Sequence, residues 1–103
     1  MRNKYGAVKT TVDGIKFDSK KEAARYRVLV LCEKAGSISN LSLQPKFDLM
    51  VNGTKIGFYK ADFKYNLLDG KEVIEDVKGM KTPIYNLKKK MIKAIYGFDI
   101  FET

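Results

Sequence analysis

The sequence predicts an α/β (α+β) fold in which a single central mixed β-sheet is flanked by helices and preceded by a short β-hairpin. Three observations carry that expectation: two stretches with helical periodicity and defined ends, several runs of β-branched and aromatic residues, and short turn signals between them. The chain has 103 residues, 45% of them hydrophobic, which suffices for one such core and not for two. Residues 1–103 are therefore expected to form one domain.

The run from Val8 to Phe17 contains Val12-Asp13-Gly14-Ile15, an Asp-Gly pair between β-compatible residues, and predicts a tight hairpin. Ser19 then precedes a helix-forming stretch to Ala35, with Ala23, Tyr26 and Val30 on the buried stripe and Gly36 as its stop. From Ile38 to Tyr65 the composition is that of strands, and Asn52-Gly53 places a turn between about Phe47–Val51 and Lys55–Tyr65. Gly57 marks a bulge. The segment Leu67-Leu68-Asp69-Gly70 reads as a turn, and Glu72–Lys78 as a strand ending at Gly79. Thr82 and Pro83 suit the N-cap and first position of a second helix, with Ile84, Leu87, Met91 and Ile95 as its apolar stripe and Gly97 as its end. Phe98–Phe101 closes the chain as a short strand, so the predicted order is hairpin, helix, three strands, helix, strand.

Twenty Lys and Arg against twelve Asp and Glu give a net charge of +8, and a polyanion is the natural partner of such a surface. Between Gly79 and Phe98 lie Lys81, Lys88, Lys89, Lys90 and Lys93 with no acid among them, the candidate DNA-contacting stretch. The first 27 residues repeat the bias: Arg2, Lys4, Lys9, Lys16, Lys20, Lys21, Arg25 and Arg27 face only Asp13, Asp18 and Glu22. Lys20 and Lys21 join the candidate contacts. For every one of these lysines a solvated surface is the plainer alternative. Tyr85 and Tyr96 are read as core or as rings that stack on a base. The lone Cys32 allows no internal disulfide and no cysteine-rich zinc pattern, as expected in a reducing cytoplasm. No membrane span or secretion signal is visible. The absence of histidine removes the commonest general base and metal ligand together, so any catalysis falls to carboxylates and lysines, as in Mg2+-dependent phosphodiester hydrolysis.

An acid and a lysine two residues apart on a strand share one face, as needed for a carboxylate that holds a cation and an ammonium that stabilises charge beside it. The pattern occurs four times, at Asp18/Lys20, Asp62/Lys64, Asp69/Lys71 and Asp76/Lys78. Only Asp76/Lys78 follows an apolar strand. Asp62, in the β-like run Tyr59-Lys60-Ala61-Asp62-Phe63, meets Asp76 if the two strands pair. Each acid has a plainer role as a surface ion. Glu22 is the candidate third carboxylate, although Ser19-Lys20-Lys21-Glu22 is also a capping box. Glu75 is expected on the opposite strand face as a surface ion or alternative ligand.

Taken in order, Glu22 on the first helix, Asp62 on a middle strand and Asp76-Val77-Lys78 on the next resemble the PD-(D/E)XK nuclease superfamily. More closely, Lys4-Tyr5-Gly6, "VDGIKFDSKKEAARY", "LQPKF", "ADF" and "EDVKGMKT" look like a family of small phage-encoded proteins assigned to that superfamily. The resemblance implies a restriction-endonuclease-like core, Asp62 and Asp76 as ligands of Mg2+ or Mn2+, Glu22 assisting them, and Lys78 positioning the nucleophile. It also implies in-line hydrolysis that leaves a 5′-phosphate and a 3′-hydroxyl. Ala61 replaces the proline of the superfamily's name, which carries no chemistry. The expected activity is a metal-dependent DNA endonuclease, structure-specific in the manner of a Holliday-junction resolvase, acting as a homodimer in the bacterial cytoplasm. The alternatives are a catalytically silent DNA-binding module of the same fold and a protein whose basic face meets an acidic partner.

Overall fold

The computed structural model describes residues 8–78 and 81–103. Arg2, the Lys4-Tyr5-Gly6 string and Gly79 lie outside the described residues, and the strand expected to run to Lys78 ends at Asp76. Strands β1 (Thr10–Val12) and β2 (Ile15–Phe17) form the predicted hairpin, with both Asp13 (φ 53°) and Gly14 (φ 76°) in the left-handed conformation that this turn requires. Helix α1 (Lys20–Lys34) starts where Ser19 Oγ accepts the Glu22 N–H at 3.1 Å. Five strands follow: β3 (Ile38–Leu43), β4 (Lys46–Val51), β5 (Thr54–Lys60), β6 (Phe63–Leu67) and β7 (Glu72–Asp76). Helix α2 (Pro83–Tyr96) and the short β8 (Phe101–Glu102) complete the described chain. Among the described residues, no helix is long and apolar enough to cross a membrane.

The fold is mixed α/β. Its central sheet is four-stranded in the order β3-β6-β7-β8, antiparallel except for the parallel β7–β8 edge. The expected strand Lys55–Tyr65 is in fact two, so β4 and β5 pair as a separate ribbon instead of joining the central sheet. The break falls at Ala61-Asp62. There the Ala61 N–H donates to Pro45 C=O and the Asp62 C=O accepts from Gln44 N–H, both at 3.0 Å, so the β3–β4 connection takes the bonds a continuous strand would have used. Within the ribbon the register slips opposite Gly57, the predicted bulge.

Alternation along the strands divides the buried residues into two clusters, one on each face of the central sheet, where the sequence led to the expectation of a single core. Phe63 and Tyr65 of β6 pack with Ala23 and Leu29 of α1 and with Val12 and Phe17 of the hairpin. Ile74 of β7 packs on the other face with Leu49 and Tyr59 of the ribbon, Tyr85 and Ile92 of α2, and Ile100. Each helix buries only part of its expected stripe; on α1 Ala23 is buried and Tyr26 packs against the core as expected. On α1 the burial falls on Glu22, Ala23 and Leu29, while Val30 is only half-buried and Val28 and Leu31 are exposed. On α2 the expected stripe divides, with Ile84 64% and Leu87 58% exposed while Met91 is half-buried against the core. Tyr85 and Ile92 take the core because the Tyr85 hydroxyl is drawn to Glu102 at 2.6 Å, which fixes the rotation of the first turn.

The ends of α2 follow the local signals. Thr82 Oγ1 accepts the Tyr85 N–H at 3.1 Å, and Gly97 caps the helix at φ 80°. Thr82→Ala is expected to destabilise the chain by about 1 kcal/mol, read as a lower melting temperature, because one N-terminal amide loses its acceptor. An unchanged melting temperature would show that α2 does not depend on this cap.

Candidate active site

Asp62 stands where the chain crosses from the ribbon into the central sheet, directly across from the end of β7. Its N–H donates to Glu75 C=O at 3.1 Å, and its carboxylate Oδ2 accepts the Val77 N–H at 2.7 Å. Because Phe63 pairs with Glu75, the strand pairing that the sequence required for Asp62 and Asp76 to meet is present. Asp76 is buried, hydrogen-bonded through Oδ2 to the Tyr59 hydroxyl and 3.4 Å from Lys78 Nζ. Of the four acid/lysine pairs two apart, this is the one that forms an ion pair. Elsewhere Lys64 turns to Glu72, and Asp69 Oδ1 accepts the Lys71 N–H within its turn.

Lys78 is held from two sides. Its ammonium lies 4.1 Å from the Tyr85 ring centroid, and its backbone carbonyl accepts from Lys21 Nζ at 3.1 Å. Lys21 thus lies beside the cluster, whereas Lys20 is exposed at the start of α1. Glu22 approaches from that same helix. Its N–H completes the Ser19 cap, but its carboxyl is buried in the neighbourhood of Asp62 and Asp76, so the cap does not account for the side chain.

Burial of negative charge dominates the electrostatics here. Loss of water, then the nearby Asp62 and Asp18 charges, push the Glu22 carboxyl up to about 7. Burial likewise raises Asp76 to about 6, against the pull of Lys78. Asp62 is raised for the same reason, opposed by the Val77 N–H and by Lys78. Asp62 and Asp76 thus share the Lys78 ammonium, with the Glu22 carboxyl buried near them. The donor set is all oxygen, as a hard divalent cation prefers, and Mg2+ commonly binds through one or two carboxylates with water in its other positions. Among the described residues, no three His, Cys, Asp or Glu side chains are grouped as a ready three-ligand set.

Glu75 corrects the sequence reading outright. It is 0% exposed, on the α1 face of the sheet, and accepts from Arg25 at 2.7 and 3.0 Å, from Tyr65 at 2.6 Å and from Thr103 Oγ1 at 3.1 Å. With every oxygen engaged, it is a structural anchor with nothing left for a cation. The lysines of α2 are also less free than their spacing implied. Lys81 and Lys89 converge on Glu102 Oε1 at 3.0 and 3.3 Å, and Lys93 meets Asp99 at 3.2 Å, acids that lie just beyond the acid-free stretch. Lys88 lies over the Phe58 ring, and Lys90 is exposed. Those bonds to Glu102, with that from Tyr85 the strongest, hold its carboxyl down at about 2.

Tyr59, Tyr85 and Glu102 are the members of the site that sequence reasoning missed. Tyr85 was visible as an aromatic near the basic run, but Tyr59 and Glu102 reach Asp76's surroundings only through long-range pairing, in Glu102's case the parallel register Asp76↔Glu102. A family model described as "Protein of unknown function (DUF1064)" matches residues 2–99. No curated protein and no solved structure matches the chain.

Proposed function

As the chain belongs to the DUF1064 family, we propose from its own site chemistry that it is a metal-dependent DNA endonuclease of the PD-(D/E)XK type. One observation carries the reading: Asp76, paired with Lys78 at 3.4 Å, stands at the end of β7 across from Asp62, with the Glu22 carboxyl of α1 buried near both acids, in a basic chain without histidine. Asp62 and Asp76 would hold Mg2+ or Mn2+, with Glu22 assisting. Such a cation supplies Lewis-acid polarisation of the scissile phosphate and a more acidic water. Lys78, steered by Asp76 and the Tyr85 ring, would place its positive charge beside the negative charge that develops on the phosphorane oxygens. Glu22, its carboxyl raised by burial and by the neighbouring Asp62, would be suited to take the proton of the attacking water. In-line attack then gives a 5′-phosphate and a 3′-hydroxyl.

Cutting both strands of a duplex or of a four-way junction calls for two such centres, which an isologous two-fold dimer would supply. Light scattering should then return twice the chain mass. The lone, half-buried Cys32 suits a reducing cytoplasm. The test is incubation with supercoiled, linear and four-way-junction DNA in Mg2+ or in EDTA. Cleavage in Mg2+ alone supports the proposal. Salt-sensitive binding with no cleavage under Mg2+ or Mn2+ instead identifies a silent DNA-binding module of the same fold.

A second prediction follows from the raised carboxyls. Their folded-state values exceed those of an unfolded chain, about 4, so their contribution to stability is complete below that value and is lost as pH rises through 6 to 7. Glu102, held near 2, titrates below this window. In EDTA the melting temperature should fall between pH 5 and pH 8, and Mg2+ should restore it at pH 8 but not at pH 5. Equal melting at both pH values, unaltered by Mg2+, would count against a cation site at this cluster.

A further inference from the structure

The outer face of the β4–β5 ribbon exposes a phenyl ring among lysines. Phe58 is 42% exposed, whereas its neighbour Tyr59 turns inward to Asp76. Lys46 Nζ lies 4.5 Å from the Phe58 ring centroid and Lys88 Nζ, from α2, 5.4 Å. Lys60 pairs with Lys46 across the ribbon and shares the strand face of Phe58, two residues away. Ile56, 61% exposed, and Met50, 41% exposed, continue the apolar surface toward the Asn52-Gly53 turn. Asp48, opposite Phe58, is already bound to Lys55 at 3.3 Å.

Charge selects the occupant of this face. A second copy of the chain would bring lysines against lysines, and an uncharged apolar peptide would cover ammonium groups without satisfying them. A partner with a flat apolar face and negative charges around it answers both demands, and a nucleobase flanked by its phosphates is such a partner. We propose that this face binds a DNA strand carrying an unstacked base, with the base on Phe58 and the phosphates on Lys46, Lys60 and Lys88. The inference takes its nucleic-acid partner from the function proposed above, but not that function's chemistry. It narrows the substrate class to DNA with unpaired or readily unstacked bases, as at branches and single-stranded tails.

Magnitudes permit the exchange at the ring. A solvent-exposed cation–π contact is worth about 2- to 5-fold in an equilibrium constant, whereas base–aromatic stacking is worth about 5- to 150-fold. The base therefore displaces the Lys46 ammonium, which is free to swing to a phosphate. The connection to the cluster is short along the chain: Lys88 faces Phe58, and the next residue, Lys89, is bound to Glu102 beside Asp76.

The chain contains no tryptophan, so Phe58→Trp installs a single fluorescent reporter at this position. In EDTA, a single-stranded oligonucleotide of about a dozen residues should quench that fluorescence, and a blunt duplex of the same length should quench it much less. Phe58→Ala should weaken single-strand binding by about 5- to 150-fold. Lys60→Gln should lower the salt slope by about 0.7 without abolishing the quench. Melting curves confirm that the variants fold, with Phe58→Leu as a second variant if Phe58→Ala does not. The proposal is overturned by an unquenched reporter, by wild-type affinity in Phe58→Ala and Phe58→Leu, by equal quenching with heparin, or by binding to anionic vesicles and not to DNA. Absence of cleavage in Mg2+ would overturn the nuclease reading alone, since the binding experiment requires no turnover.

Discussion

Asp76→Asn is expected to lower Mg2+-dependent DNA cleavage by about 10²- to 10⁴-fold, the loss that follows when a nucleophilic water is no longer activated and placed. The fold should survive the change. Asparagine keeps the size of the side chain and an acceptor for the Tyr59 hydroxyl, and it removes a charge that burial had already pushed up to about 6. Melting should therefore stay level or rise in EDTA, while Mg2+ no longer stabilises the variant at pH 8. Lys78→Met separates the two partners of the ion pair. It should lower turnover with little effect on metal-dependent stabilisation, because Lys78 donates to charge and does not hold the cation. Wild-type cleavage by Asp76→Asn would end the assignment of this cluster as the active site.

The parts legible in the sequence were those set by local chemistry. Asp13-Gly14, Asn52-Gly53, Thr82-Pro83 and Gly97 each fixed a turn or a helix end, and each stands where its backbone preference puts it. The Asp76/Lys78 pair was legible because strand periodicity alone places the two side chains together. The remainder depended on what covers each face. Glu75 was read as a surface ion because a strand with one solvated face alternates, but β7 has α1 on one side and α2 with the ribbon on the other, so both of its faces are buried. The flanking run Val73-Ile74-Glu75-Asp76-Val77, apolar on both parities, was the available sign. The split at Ala61-Asp62 had no local signal, since it arises from bonds to Gln44 and Pro45 more than fifteen residues away. The rotation of α2 was hidden for a related reason. Apolar spacing favoured Ile84 and Leu87, while one hydroxyl bond to Glu102, made across the fold, turned Tyr85 inward.

Arg25→Ala is expected to destabilise the chain by about 3–5 kcal/mol, because it leaves the Glu75 charge buried without its cation. For a domain of this size that is a fall of roughly 12–40 °C in melting temperature, a large fraction of the stability a small domain possesses. The bond geometry explains the size of the effect: the guanidinium meets both Glu75 oxygens, at 2.7 and 3.0 Å, and among the described residues Tyr65 and Thr103 supply the only other donors. Burial, followed by the Glu75 charge, pushes the Tyr65 hydroxyl up to about 12, so the tyrosine stays a donor and cannot itself offset the loss. Replacing both partners, Arg25→Met with Glu75→Leu, should recover part of the stability, since an apolar pair of similar volume avoids desolvating any charge but leaves the buried Tyr65 hydroxyl without its acceptor. Stability is not the pair's whole contribution. Arg25 lies one turn from Glu22 on α1, and Glu75 adjoins Asp76 on β7, so the ion pair fixes the helix that carries one acid against the strand that carries another. The double variant should therefore melt above Arg25→Ala yet cleave more slowly than wild type, by about 10-fold on the scale of other interactions that orient ligands from behind. Wild-type stability in Arg25→Ala would mean that Glu75 does not need this partner, and wild-type cleavage in the double variant would mean that apolar packing alone holds Glu22 in register.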